Sequence, residues 1–90
     1  MHAVLVNVTI NDFDGARKML EEEVVPRVKL APGFIAGYWT RTEDNRGLSM
    51  IVVETEQGAR AVSEMIQRGP PDPDVVTVGD VEVREVVASA

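Results

Sequence analysis

The stretch Leu30-Ala31-Pro32-Gly33-Phe34-Ile35-Ala36-Gly37-Tyr38-Trp39-Thr40-Arg41 decides how this chain is read. It holds the only Trp, the only Tyr and one of the two Phe. Pro32-Gly33 stops a helix arriving from the left. The aromatic and β-branched residues that follow suit a strand, predicted over 34–42. In a strand, Tyr38 and Trp39 point to opposite faces, and Arg41 shares the parity of Trp39. Gly37 weakens the strand unless a bulge or a close approach is wanted there.

To the left, residues 3–10 alternate. Val4, Val6, Val8 and Ile10 make one apolar face, while Ala3, Leu5, Asn7 and Thr9 make a mixed one. This is a strand with one face on a core. Asn11 or Asp12 caps the helix that follows, with Asp14 in its first turn. Phe13, Ala16, Leu20, Val24, Val28 and Ala31 recur at helical spacing. A helix is predicted over about 13–30, bent or frayed near Pro26, which lacks the N–H for a bond to residue 22.

To the right, Glu43-Asp44-Asn45-Arg46-Gly47 is a polar turn, with Gly47 suited to positive φ. Residues 48–54 are apolar on both faces, which implies a central strand, and the close spacing makes it a hairpin with the strand before it. Thr55 caps a second helix whose stripe is Ala59, Val62, Met65 and Ile66; Arg60, Ser63, Glu64, Gln67 and Arg68 are expected to face water. Gly69 and Pro70 end it. Residues 75–88 form the last strand, with a bulge expected at Gly79-Asp80. The order β-α-β-β-α-β predicts one α+β domain over residues 1–90. It has a four-stranded antiparallel sheet with both helices on one face, the ferredoxin-like arrangement. The other sheet face keeps apolar residues, and a second copy of the chain is the economical cover.

The balance of 15 acidic to 9 basic residues, a formal charge of −6, argues against nucleic acid and against an anionic membrane surface as partners. A small neutral or apolar ligand fits better. With no Cys, disulfides, thiol catalysis and thiolate metal sites are excluded. Residues 1–7 lack the basic region and long apolar run of a signal peptide, and no run is long enough to span a bilayer, so a cytoplasmic location is expected.

Certain features together resemble one family. They are the early strand, Val24-Val25-Pro26-Arg27-Val28, Ala31-Pro32-Gly33-Phe34 leading into Tyr38-Trp39, Met50-Ile51-Val52-Val53, and the valine-rich, charged Val81-Glu82-Val83-Arg84-Glu85-Val86. The chain is similar to the dimeric α+β barrel superfamily, and more narrowly to the antibiotic-biosynthesis-monooxygenase-like proteins. The resemblance implies a homodimer whose two sheets form a barrel. It also implies a cofactor-independent monooxygenase-like activity on a small aromatic or apolar compound, with no metal. In such enzymes an Asn on the first strand and a Trp in the pocket assist oxygen chemistry, which makes Asn7 and Trp39 the catalytic candidates. The haem-degrading branch uses a helical His, and this chain has only His2.

From the residues themselves, Asn7 can donate to a substrate oxygen or enolate, or be hydrogen-bonded within the sheet or across a dimer. Trp39 and Tyr38 are pocket candidates or plain packing residues. Arg41 suits a carboxylate or phenolate, or is an exposed edge-strand residue. Tyr38 and Arg41 are therefore the substrate-binding candidates. An apolar pocket between sheet and helices, lined by Asn7, Trp39 and Arg41, is expected. Glu21-Glu22-Glu23 reads as a solvated face, and Met19, Met50 and Met65 as core filling. The alternative to an enzyme is a non-catalytic ligand-binding or structural dimer. Regulatory ACT modules share the element order, but carry Pro-Gly where this chain has Asn11-Asp12-Phe13-Asp14-Gly15.

Overall fold

The structure, a computed structural model, describes residues 1–90. The elements run β1 (His2–Ile10), α1 (Phe13–Met19), a π-helical segment (Leu20–Val24), α2 (Val25–Val28), β2 (Phe34–Arg41), β3 (Arg46–Val53), α3 (Glu56–Gln67) and β4 (Val76–Glu85). They form an α+β unit with an open, four-stranded antiparallel sheet in the order β2-β3-β1-β4. This order is compatible with the ferredoxin-like arrangement. β3 is internal, in keeping with its two apolar faces.

Alternation along β1 sorts the sheet into two sides. Val4 and Val6 are buried with Ile51 and Val53 of β3, against Val28, Ala59 and Val62 of the helices. A second cluster joins Ala16 and Met19 to Val75 and Val76. Both helical stretches therefore lie on one face. Only 16 of the 90 residues are buried, so each core side chain carries a large share of the stability.

Asp12, rather than Asn11, caps α1; its carboxylate accepts from Gly15 N at 3.4 Å. Asn11 instead donates to Thr77 Oγ1 at 3.1 Å. The single bent helix expected over 13–30 is three pieces. The N–H of Val25 bonds back five residues, to Leu20 O. The widened turn sits immediately before Pro26, where the proline ring would otherwise press on the preceding turn and leave a carbonyl without its donor. Thr55 caps α3 as expected, accepting from Gly58 N at 3.0 Å.

Three local expectations need correction. The positive φ of the hairpin turn belongs to Asn45 (φ 60), a residue type that tolerates it. Gly47 lies in β3 instead, where a Cβ would come within 2.6 Å of Val8 Cγ2. Ser63 is buried on α3 and accepts from Gln67 Nε2 at 3.1 Å. Met50 is 41% exposed on the uncovered face, so it fills no core.

Two bulges set the side-chain parity. In β1–β4 the register passes from Val6↔Val81 to Val8↔Val78, so Gly79 and Asp80 oppose Asn7 alone. This is the bulge expected at Gly79-Asp80. In β2–β3 the extra residue is Ile35, between Phe34↔Val53 and Ala36↔Val52. From Ala36 onward the strand alternates regularly. Trp39 therefore falls opposite Ser49, and Tyr38 opposite Met50.

Candidate functional site

A cavity of about 100 Å³ lies between the helices and the sheet. The sheet contributes Val6, Val8, Ile51, Val76 and Val78, and the helices contribute Met19, Val24, Val28, Met65 and Ile66. Its remaining walls include Trp39, Ser49, Arg27 and Pro70. Met19 precedes the π-helical segment and Val24 is its last residue, so the irregular turn helps shape the chamber. Such turns recur at functional sites.

Trp39 is placed by its neighbour two residues earlier. A Cβ on Gly37 would lie 2.8 Å from Trp39 Cη2 and 2.9 Å from Cζ3. The indole folds back across Gly37, and this is the close approach that the mid-strand glycine permits. Opposite Trp39, Ser49 is 7% exposed and its hydroxyl makes no side-chain hydrogen bond. Ser49 lines the cavity, and its hydroxyl is not among the buried polar atoms left without a partner, of which His2 Nδ1 is the one case.

A second cleft, of about 280 Å³, shares Val8, Trp39, Ser49 and Val76 with the inner cavity. It adds Ile10, Phe13, Ala16, Arg17, Leu20, Thr40 and Arg41. The guanidinium of Arg41 stacks on Phe13, 3.5 Å from the ring centroid. Inner cavity and outer cleft thus adjoin along Val8, Trp39, Ser49 and Val76.

The structure brings together two of the four expected site residues. Trp39 and Arg41 line the outer cleft on the helix-covered face. Asn7 and Tyr38 lie on the opposite face of the sheet, both exposed. Asn7 therefore does not join Trp39 in a pocket between sheet and helices, because β1 turns alternate residues to opposite sides and its neighbours Val6 and Val8 take the cavity side. Instead, Asn7 sits at the β1–β4 bulge, beside Leu48 in the register.

Ser49, Arg17, Arg27 and the residues around the π-helical segment escaped the sequence reading. Ser49 had a signal, being the one small polar side chain inside the apolar run 48–53. The arginines had none, because helical spacing alone does not say which exposed side chains rim a cleft.

Ionisable groups with altered behaviour lie away from the cavity. The Arg60 guanidinium, hydrogen-bonded to Glu56 at 2.7 Å, holds the Glu56 carboxyl below its ordinary range, with a smaller contribution from His2. Asp44 is also lowered, chiefly by the hydroxyl of Thr42. His2 Nε2 stands 4.0 Å from Glu56, and His2 Nδ1 is buried without a partner. No group of three His, Cys, Asp or Glu side chains is placed to hold a metal ion. No helix is long and apolar enough to cross a membrane.

The chamber thus presents apolar walls, the Trp39 side chain and Ser49. No His or carboxylate lines it to move a proton. No protein-family model matches the chain, and no curated protein matches its sequence.

Proposed function

We propose that this protein binds a small, planar, largely apolar molecule in the space between helices and sheet, and that it does so as a homodimer. The observation that carries the reading is the Trp39–Ser49 pair: an indole opposite a serine in the sheet register, both lining the two apolar spaces where these adjoin. The inner cavity, about 100 Å³, is smaller than the roughly 150 Å³ that holds benzene, so the ring lies in the outer cleft of about 280 Å³, against Trp39. The homodimer reading rests on the uncovered sheet face. There Tyr38 is 65% exposed, Leu48 44% and Met50 41%, and they adjoin one another in the register. An apolar patch of this kind calls for a partner surface.

Trp39 reports binding directly, since it is the only Trp. Its fluorescence is expected to change, saturably, on addition of neutral one- and two-ring aromatic compounds. Ser49→Leu narrows both spaces and is expected to abolish the response while the far-ultraviolet spectrum stays unchanged. A response that persists undiminished in Ser49→Leu would place the ligand elsewhere and defeat the reading.

The resemblance to antibiotic-biosynthesis-monooxygenase-like proteins supports a second reading, cofactor-free oxygenation of an aromatic compound. The specific observation in its favour is Trp39 in the chamber wall. On this reading the substrate supplies its own acidic hydroxyl, and Asn7 acts only if the dimer brings the uncovered face to the ligand. Oxygen uptake that depends on the folded protein and on an added aromatic hydroxyl compound tests it. If Trp39→Phe leaves that uptake unaltered, Trp39 has no role in the chemistry.

A further inference from the structure

The charges around the chamber are all of one sign. Arg27 borders the inner cavity, and Arg17 and Arg41 border the outer cleft; no carboxylate lines either space. Yet acidic residues outnumber basic ones 15 to 9 in the chain. Random placement of charges on such a surface would put carboxylates at the rim first.

Arg41 is the best prepared of the three. No carboxylate lies within 4.0 Å of it, whereas four other arginines (Arg17, Arg46, Arg60 and Arg84) have one. Its stacking on Phe13 uses the flat face of the guanidinium. The in-plane N–H groups stay free, and these are the donors that grip a carboxylate in a two-pronged fashion. Stacking also fixes the side chain, so less rotamer entropy is lost when an anion binds. Arg17 lies one helical turn after Phe13, so both face the same cleft. Its partner Glu21 is 3.8 Å away, with both side chains about two-thirds exposed. Such a pair is weak and is readily exchanged for a ligand.

Resting on the binding function proposed above, we infer that the ligand is an amphipathic anion: an aromatic or similarly apolar body bearing a carboxylate. The body lies against Trp39, and the carboxylate is held by Arg41 with help from Arg17. The net charge of −6 repels anions at long range, but screening limits that to about 8 Å at physiological salt. Within the cleft the local arginines dominate.

The test compares phenylacetate with phenylacetamide, which has nearly the same shape and no charge. Binding is followed through the Trp39 indole N–H resonance and by calorimetry on the 90-residue chain. Phenylacetate is expected to bind about tenfold more tightly than the amide, the strength of one good charge-assisted contact. Arg41→Gln removes most of that preference without changing amide affinity. Arg41→Lys, which keeps the charge and loses the planar fork, falls between. Arg17→Gln costs roughly threefold. Arg84→Gln, on the uncovered face, changes nothing. Equal affinities for the two probes, or a preference unaffected by Arg41→Gln, overturns the anion inference and leaves the apolar chamber standing. Failure of both probes to shift Trp39 at millimolar concentration overturns chamber and inference together.

Discussion

The two faces of the sheet are made by the same strands and differ in almost every other respect. On the helix-covered face Val4, Val6, Ile51 and Val53 are buried, and Trp39 folds over Gly37 to wall a chamber. On the other face the same strands show Leu5, Asn7, Leu48, Met50 and Tyr38, with Glu82 and Arg84 paired beside them on β4. The first face is closed except for a space that suits a small ring. The second is an exposed, mixed patch, the one assigned above to the proposed homodimer. One strand pattern thus yields two unlike surfaces, because alternate residues on a strand point to opposite sides.

Mutations on adjacent residues of β3 sharpen this contrast. Ile51→Ala removes a side chain that is 1% exposed and is expected to cost about 3 kcal/mol of folding stability, read from urea unfolding. Met50→Glu, one residue earlier, is expected to leave the folded subunit intact and to convert the proposed dimer to a monomer in sedimentation. An equal loss of folding stability from both would mean that the two faces are not distinct. Gly37→Ala forces the indole off the strand and is expected to cost about 1–2 kcal/mol, with a shifted Trp39 emission. An unmoved emission would show that the indole does not depend on Gly37.

The smallest expected effect is electrostatic. Glu56 has a depressed carboxyl in the folded chain, so its pairing with Arg60 contributes above the ordinary glutamate range. That contribution disappears as the pH falls through the lowered value. Glu56→Gln is expected to lower stability slightly at neutral pH, to match the parent chain in acid and so to flatten the acid limb, a small effect because both partners of the pair are exposed. An acid limb identical to that of the parent chain would remove Glu56 from the account.

Periodicity carried the fold a long way. The alternation of Val4, Val6, Val8 and Ile10, the Thr55 cap and the Gly79-Asp80 bulge were all legible, because each depends on a few neighbouring residues. Site parity was harder. Trp39 and Arg41 share a side because both lie beyond the Ile35 bulge, but Asn7 belongs to another strand, and only the β1–β3 and β3–β2 registers relate the two. The π-helical turn was visible only as a disturbance at Pro26. Ser49 was legible as a polar interruption in an apolar strand. The one-sided arginine rim was not, because it joins α1, α2 and β2 across long stretches of chain.

The most direct test of the account is a methyl and indole NMR titration with a neutral aromatic compound. Shifts centred on Val8, Ile10, Leu20, Val76 and Trp39, with Leu5, Leu48 and Met50 unmoved, are the predicted result. Shifts centred on Leu5, Leu48 and Met50 would put the ligand on the uncovered face and contradict the division of labour between the two sides of the sheet.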